Sequence, residues 1–211
     1  MGSSPRSLQT NISHKEVKMN FATMVNRMVR AAMLDVNLYE EVEADTSLNQ
    51  EALMVVILVS IIGSIGSFLS GVLARDIGSA LLALVITVIM GVVNYYIWAY
   101  VTYFVGTRLF HGTADAGELL RVLGYASGPR ALAVLSFIPC VGPAIALISA
   151  IWALVAGVVA VRQALDFDTT KAVLTVIVGW VIVFVISVVV DLVVGVGAAG
   201  LGALGSLLGG R

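Results

Sequence analysis

Long apolar stretches separated by short polar joints dominate the chain between residues 52 and 195. Five stand out: Ala52–Leu73, Gly78–Val105, Leu119–Ile138, Ala144–Val161 and Ala172–Gly195. About 20 apolar residues at roughly 1.5 Å per residue match a hydrocarbon core of about 30 Å, and backbone in lipid has to bond internally. The pattern predicts an all-α, polytopic membrane helical bundle of five transmembrane helices. The second stretch is longer than a bilayer needs, so tilt or projection is expected. Gly128-Pro129 interrupts the third. Proline removes a donor and crowds the turn before it, which predicts a kink and a freed carbonyl near Tyr125. A four-span alternative makes this stretch re-entrant.

Ahead of the spans the period changes. Phe21, Met24, Val25, Met28, Val29, Ala32 and Met33 recur at helical spacing, with Arg27 and Arg30 near the opposite side. This predicts a cytoplasmic amphipathic helix resting on the lipid surface. An acidic run from Asp35 to Asp45 follows. As a solvated face it needs no partner; as a docking surface, Tyr39, Glu40, Glu41 and Glu43 are its candidate contacts. The expected division is a disordered arm over 1–20, an amphipathic and acidic segment over 21–50, a membrane domain over 51–195, and a glycine-rich outer tail over 196–211. The polar start shows no signal-peptide pattern, and Met19 is an alternative start.

Composition agrees with a membrane protein. A hydrophobic content of 59%, a charged content of 12% and a mean hydropathy of +1.01 exclude an ordinary soluble domain. A net charge of −1 offers nothing to nucleic acid. The positive charges supply direction. Arg6, Lys15, Lys18, Arg27, Arg30, Arg108, Arg121, Arg162 and Lys171 share one side of a five-span topology. Only Arg75 and Arg211 fall on the other, which predicts a cytoplasmic N-terminus and an outer C-terminus in a plasma membrane. The aromatic run Tyr95, Tyr96, Trp98, Tyr100, Tyr103 and Phe104 suits the headgroup layer better than a ligand box.

Helices in lipid associate by close packing, and Gly63, Ser67 and Gly71 form a small-residue stripe on the first span. It serves internal packing or a homo-oligomer. Catalytic chemistry is sparse. Cys140 has no evident partner, and neither His14 nor His111 lies within a span. His111, Asp115 and Glu118 match no familiar metal spacing, and no phosphate-binding loop occurs. No cofactor, metal or catalytic residue is expected. Arg130 and Asp191 are the ionisable groups within spans, a candidate intramembrane polar pair and the basis for an alternative reading as a small transporter or channel component.

Leu123-Gly124-Tyr125, followed by Pro129 and an apolar run, resembles the Gly-Tyr…Pro signature of the Ypt-interacting-protein (YIP) domain family. Leu38-Tyr39-Glu40-Glu41-Val42, Arg162-Gln163-Ala164-Leu165 and Gly179-Trp180 are similar to prokaryotic members. The resemblance covers roughly residues 24–190. It implies a non-enzymatic membrane protein whose signature residues are Gly124, Tyr125 and Pro129. Eukaryotic members bind Rab-type GTPases in vesicle traffic, through an arm carrying Asp-Leu-Tyr-Gly-Pro. Here that motif is reduced to Asn37-Leu38-Tyr39-Glu40. The expected role is a scaffold or adaptor in contact with the lipid bilayer and a cytoplasmic protein.

Overall fold

A computed structural model describes residues 21–73, 75–138 and 140–209, so the expectation for residues 1–20 lies outside the described residues. Every regular element among the described residues is helical. Two short helices lead, α1 (Phe21–Ala32) and α2 (Val36–Ala44), and a 3₁₀ turn over Thr46–Leu48 joins them to the bundle. The bundle follows as α3 (Asn49–Leu73), α4 (Ile77–Leu109), α5 (Ala116–Ala126), a 3₁₀ run over Gly128–Phe137, α6 (Gly142–Ala164) and α7 (Thr169–Gly209).

Four helices are long and apolar enough to cross a membrane: those ending in α3, α4 and α6, and α7 over Thr169–Ile186. The third stretch read from the sequence is not a single helix. Pro129 cannot donate to the carbonyl four residues back, and Gly128 beside it lowers helix propensity further. The α-helix therefore stops at Ala126 and the chain continues in tighter 3₁₀ turns, a fuller break than a kink. The 3₁₀ run still climbs antiparallel to α6. Ser149 Oγ donates to the Pro129 carbonyl at 2.9 Å, and Gly142 packs against the Ser136 carbonyl at the turn.

The joints between α4 and α5 and between α6 and α7 lie together. Cβ atoms added at Gly106 and Gly112 would meet the Leu165 side chain at 2.5 Å, and the Phe110 and Phe167 rings meet edge-on at 6.4 Å. Arg108, Arg121, Arg162 and Lys171 thus share one end of the bundle with the arm. The aromatic run divides by face. Tyr95 is buried and donates to the Leu120 carbonyl at 2.6 Å, whereas Tyr96, Tyr100 and Phe104 face outwards. α7 continues through the tail that composition alone marks as loosely ordered.

The arm is part of the core. Leu38, Tyr39 and Val42 have no exposed surface, and Met24 and Ala31 are also buried. The apolar side of α1 is split: Met24, Met28 and Ala31 turn to the bundle, while Phe21, Val29 and Met33 remain exposed.

Candidate functional site

The arm–bundle junction begins with local caps. Beyond the end of α1, Leu34 turns the chain with a left-handed φ of 62°, and Asp35 N donates to the Arg30 carbonyl at 3.1 Å. Asp35 then caps α2 by accepting from Asn37 N at 3.1 Å. Arg30 clamps this corner, donating to Asp35 at 2.8 Å and to Glu41 at 3.0 Å. Asp115 and Glu118 form a reciprocal capping box at the start of α5, each bond 2.8 Å long. That box explains their spacing with no metal, and among the described residues no group of three or more His, Cys, Asp and Glu could hold one.

Two buried networks join arm to bundle. Arg121 of α5, 3% exposed, donates to the Val42 carbonyl at 2.9 Å, to Asn49 Oδ1 at 3.0 Å and to the Glu43 carbonyl. The last carbonyls of α2 have no helical partners, so a guanidinium fork serves as their cap. In the second network Glu51 accepts from Arg27 Nη1 at 2.9 Å and from the Tyr125 hydroxyl at 2.5 Å. Farther out, Trp152 Nε1 donates to the Ala32 carbonyl at 2.7 Å, and Gln163 donates to Glu40 at 2.9 Å.

The candidate docking residues occupy different environments. Tyr39 is wholly buried, its hydroxyl donating to the Ala31 carbonyl at 3.0 Å, and burial raises its pKa. It anchors α2. Glu40 and Glu41 are exposed, the latter also 3.6 Å from Arg27. Glu43 is half-buried, facing Glu118, Asp166 and Glu40, with Arg121 as the countering charge. Burial first, and then these carboxylates, push its pKa from 4.5 up to about 7. A raised folded-state pKa means that the docked arm holds a proton which the released arm gives up. The resulting stability is present below pH 4.5 and is lost as pH rises through about 7. Asp35 and Asp45, held low chiefly by their bonds to Arg30 and Ser47, act below that window. Amide-exchange protection of α2 should fall from about pH 5 to about pH 8 and stay flat in Glu43→Gln. Parallel profiles in the two proteins would assign the titration elsewhere.

A Cβ at Gly71 would lie 2.7 Å from the Ala80 Cβ of α4, whereas Gly63 has nothing within 4 Å. A closer contact joins Gly91 of α4 to the Ser60 side chain of α3, a pairing that spacing alone did not single out. The side chains of Ser67 and Asp191 lie outside the described residues, and with them the pairing of Asp191 with Arg130. Arg130 lines a cavity of about 310 Å³ together with Asn94, Trp98 and Trp180.

These features define an all-helical integral membrane protein with an ordered N-terminal cap. Residues 37–190 match the Yip1 domain model, and the chain belongs to that family. No curated protein and no solved structure matches the chain. The signature residues expected from the resemblance all have physical work at the junction. A Cβ at Gly124 would fall 2.8 Å from the Ala52 Cβ and 2.9 Å from its carbonyl oxygen, so glycine lets α5 close onto α3. Tyr125 bonds Glu51, and Pro129 starts the 3₁₀ run. The residues that sequence reasoning missed are Glu51, Asn49 and Trp152. Their only signal is a polar or amphipathic group beside a span end.

Proposed function

We propose that the protein is a non-enzymatic membrane scaffold or adaptor of the YIP type. The bundle anchors it, and α1 and α2 present a preformed surface at the positively charged end, which is cytoplasmic. The broken stretch from Ala116 to Phe137 acts as a fifth crossing, so the C-terminus lies outside, in a prokaryotic plasma membrane. One observation carries the reading: the arm buries Leu38, Tyr39 and Val42 yet leaves Glu40 and Glu41 outside. A pre-ordered surface loses little entropy when it binds.

Deleting the arm is a poor test, because it would strip Arg121 of the Val42 and Glu43 carbonyls and Glu51 of Arg27. A photocrosslinker at exposed Asn37 of the full chain, in native membrane, is cleaner. A cytoplasmic protein captured there should be lost in Glu40→Lys, which leaves the Arg30–Glu41 pair intact, while α2 keeps its exchange protection. Undiminished capture by that variant would remove the acidic surface from the proposal.

A further inference from the structure

Arg130 poses a problem that the described residues of the bundle do not solve. Among the described residues no carboxylate, carbonyl or hydroxyl accepts from its guanidinium. Arg130 is exposed on the protein surface, and an ionisable group within a span is kept where a headgroup, water or a partner compensates it. Asp191 lies seven residues beyond Phe184 on α7, about 10 Å farther along the axis.

The space around Arg130 has two parts. Beside α3 and α5, Ser60, Asn94 and Ser127 join apolar side chains around a small cavity of about 70 Å³. Towards α6 and α7 it widens to about 310 Å³, where Arg130 and Asn94 face Trp98, Leu154, Trp180 and Phe184, far above the roughly 10–15 Å³ that admits one water. The outer wall consists of Leu154, Trp180 and Phe184, at 43%, 55% and 55% exposure. Trp180 and Phe184 stack at 5.7 Å with an interplanar angle of 16°. All three are exposed on α6 and α7, and in a bilayer this side of the cavity would open towards acyl chains.

Depth is fixed by the arm. The Met28 carbonyl lies 3.2 Å from where a Cβ at Gly128 would stand, and Trp152 reaches the Ala32 carbonyl. An amphipathic helix with exposed Phe21, Val29 and Met33 belongs at the headgroup–acyl boundary, and so does a tryptophan with a bonded indole. Arg130 is two residues past Gly128, about 4 Å farther along a 3₁₀ run. A headgroup of the arm-side leaflet is therefore within reach.

We propose that the Arg130 cavity is a binding site for an acidic phospholipid of the arm-side leaflet. The guanidinium fork takes the phosphate oxygens, Asn94 adds a polar contact, and an acyl chain leaves between α6 and α7 across Trp180 and Phe184. Arginine suits this task because its planar donors pair with phosphate bidentately and its charge is permanent. The proposal is independent of any protein partner of the arm.

Trp98 and Trp180 line the cavity and act as reporters. The full chain is placed in phosphatidylcholine nanodiscs and titrated with phosphatidylglycerol carrying brominated chains, against brominated phosphatidylcholine at the same bromine content. Wild type should show extra quenching by the acidic lipid that saturates at low mole fraction. In Arg130→Gln half-saturation should shift by about tenfold, as expected for losing one charge-assisted contact, and Arg130→Lys should fall between. Arg130→Gln removes an uncompensated charge, so in pure phosphatidylcholine its melting temperature should equal or exceed that of wild type, which separates lost binding from lost fold. Equal quenching by both lipids in wild type, or an excess undiminished in Arg130→Gln, would overturn the proposal. So would loss of the excess on adding inorganic phosphate, which would make the ligand an aqueous anion.

Discussion

Arg121→Met is expected to release the arm while leaving the bundle inserted. Methionine fills similar apolar volume, so the loss falls on the donors. The carbonyls of Val42 and Glu43 and the side chain of Asn49 all lose a partner in a site where Arg121 is 3% exposed. Removing one partner from a buried charged network costs roughly 3–5 kcal/mol, because the groups left behind remain desolvated. That is enough to move α2 from almost always docked to often open. Limited proteolysis at the exposed corner around Met33 should speed up by about 10²-fold or more, with amide exchange in α2 rising in parallel. Arg121→Lys should be intermediate, since an ammonium cannot span two carbonyls and an amide as a fork does. Cleavage at the wild-type rate in Arg121→Met would mean that burial of Leu38, Tyr39 and Val42 holds the arm unaided.

The bundle was legible in the sequence because its signal is one of length and solvent. An apolar stretch such as Ile77–Leu109 has one stable form in lipid, and the cation bias of the loops follows from insertion. The break at Gly128-Pro129 was legible for the same local reason, although its extent was not. Whether a chain kinks or passes into 3₁₀ turns depends on the contacts it then makes, and here Ser149 of α6, twenty residues away, donates to the Pro129 carbonyl within the run. The arm was the least legible part. Its periodicity is real, but periodicity marks an apolar face without saying whether lipid or protein covers it. Protein covers part of it: Met24 and Ala31 are buried, while Phe21 and Met33 stay exposed. Arg27 and Arg121 reveal the difference only through partners 24 and 72 to 79 positions away, and such distant pairings have no local signature. The YIP signature was legible as a pattern, and its reason became visible only when Gly124 was found against Ala52.

Glu51→Ala should be the most damaging change on the bundle side of the junction, and the route of the damage can be tested. Glu51 is 5% exposed in the first turn of α3, where a carboxylate also meets the positive end of the helix. One of its oxygens receives both Arg27 and the Tyr125 hydroxyl. Alanine would strand a cation and a phenol together, a loss of roughly 3–5 kcal/mol, partly relieved by the Glu41 carboxylate 3.6 Å from Arg27. Glu51→Gln keeps an oxygen for Tyr125 and loses the ion pair, so it should cost less. Tyr125→Phe removes a single hydroxyl and should cost about 1–2 kcal/mol. Because both donors depend on one oxygen, Tyr125→Phe should add little once Glu51 is alanine, where its orphaned hydroxyl is itself part of the penalty. The double variant should therefore be no less stable than Glu51→Ala alone in a denaturant titration of the full chain in detergent. Strict additivity of the two single losses would mean that Tyr125 and Glu51 stabilise the protein separately, and the shared-acceptor account of the junction would fail.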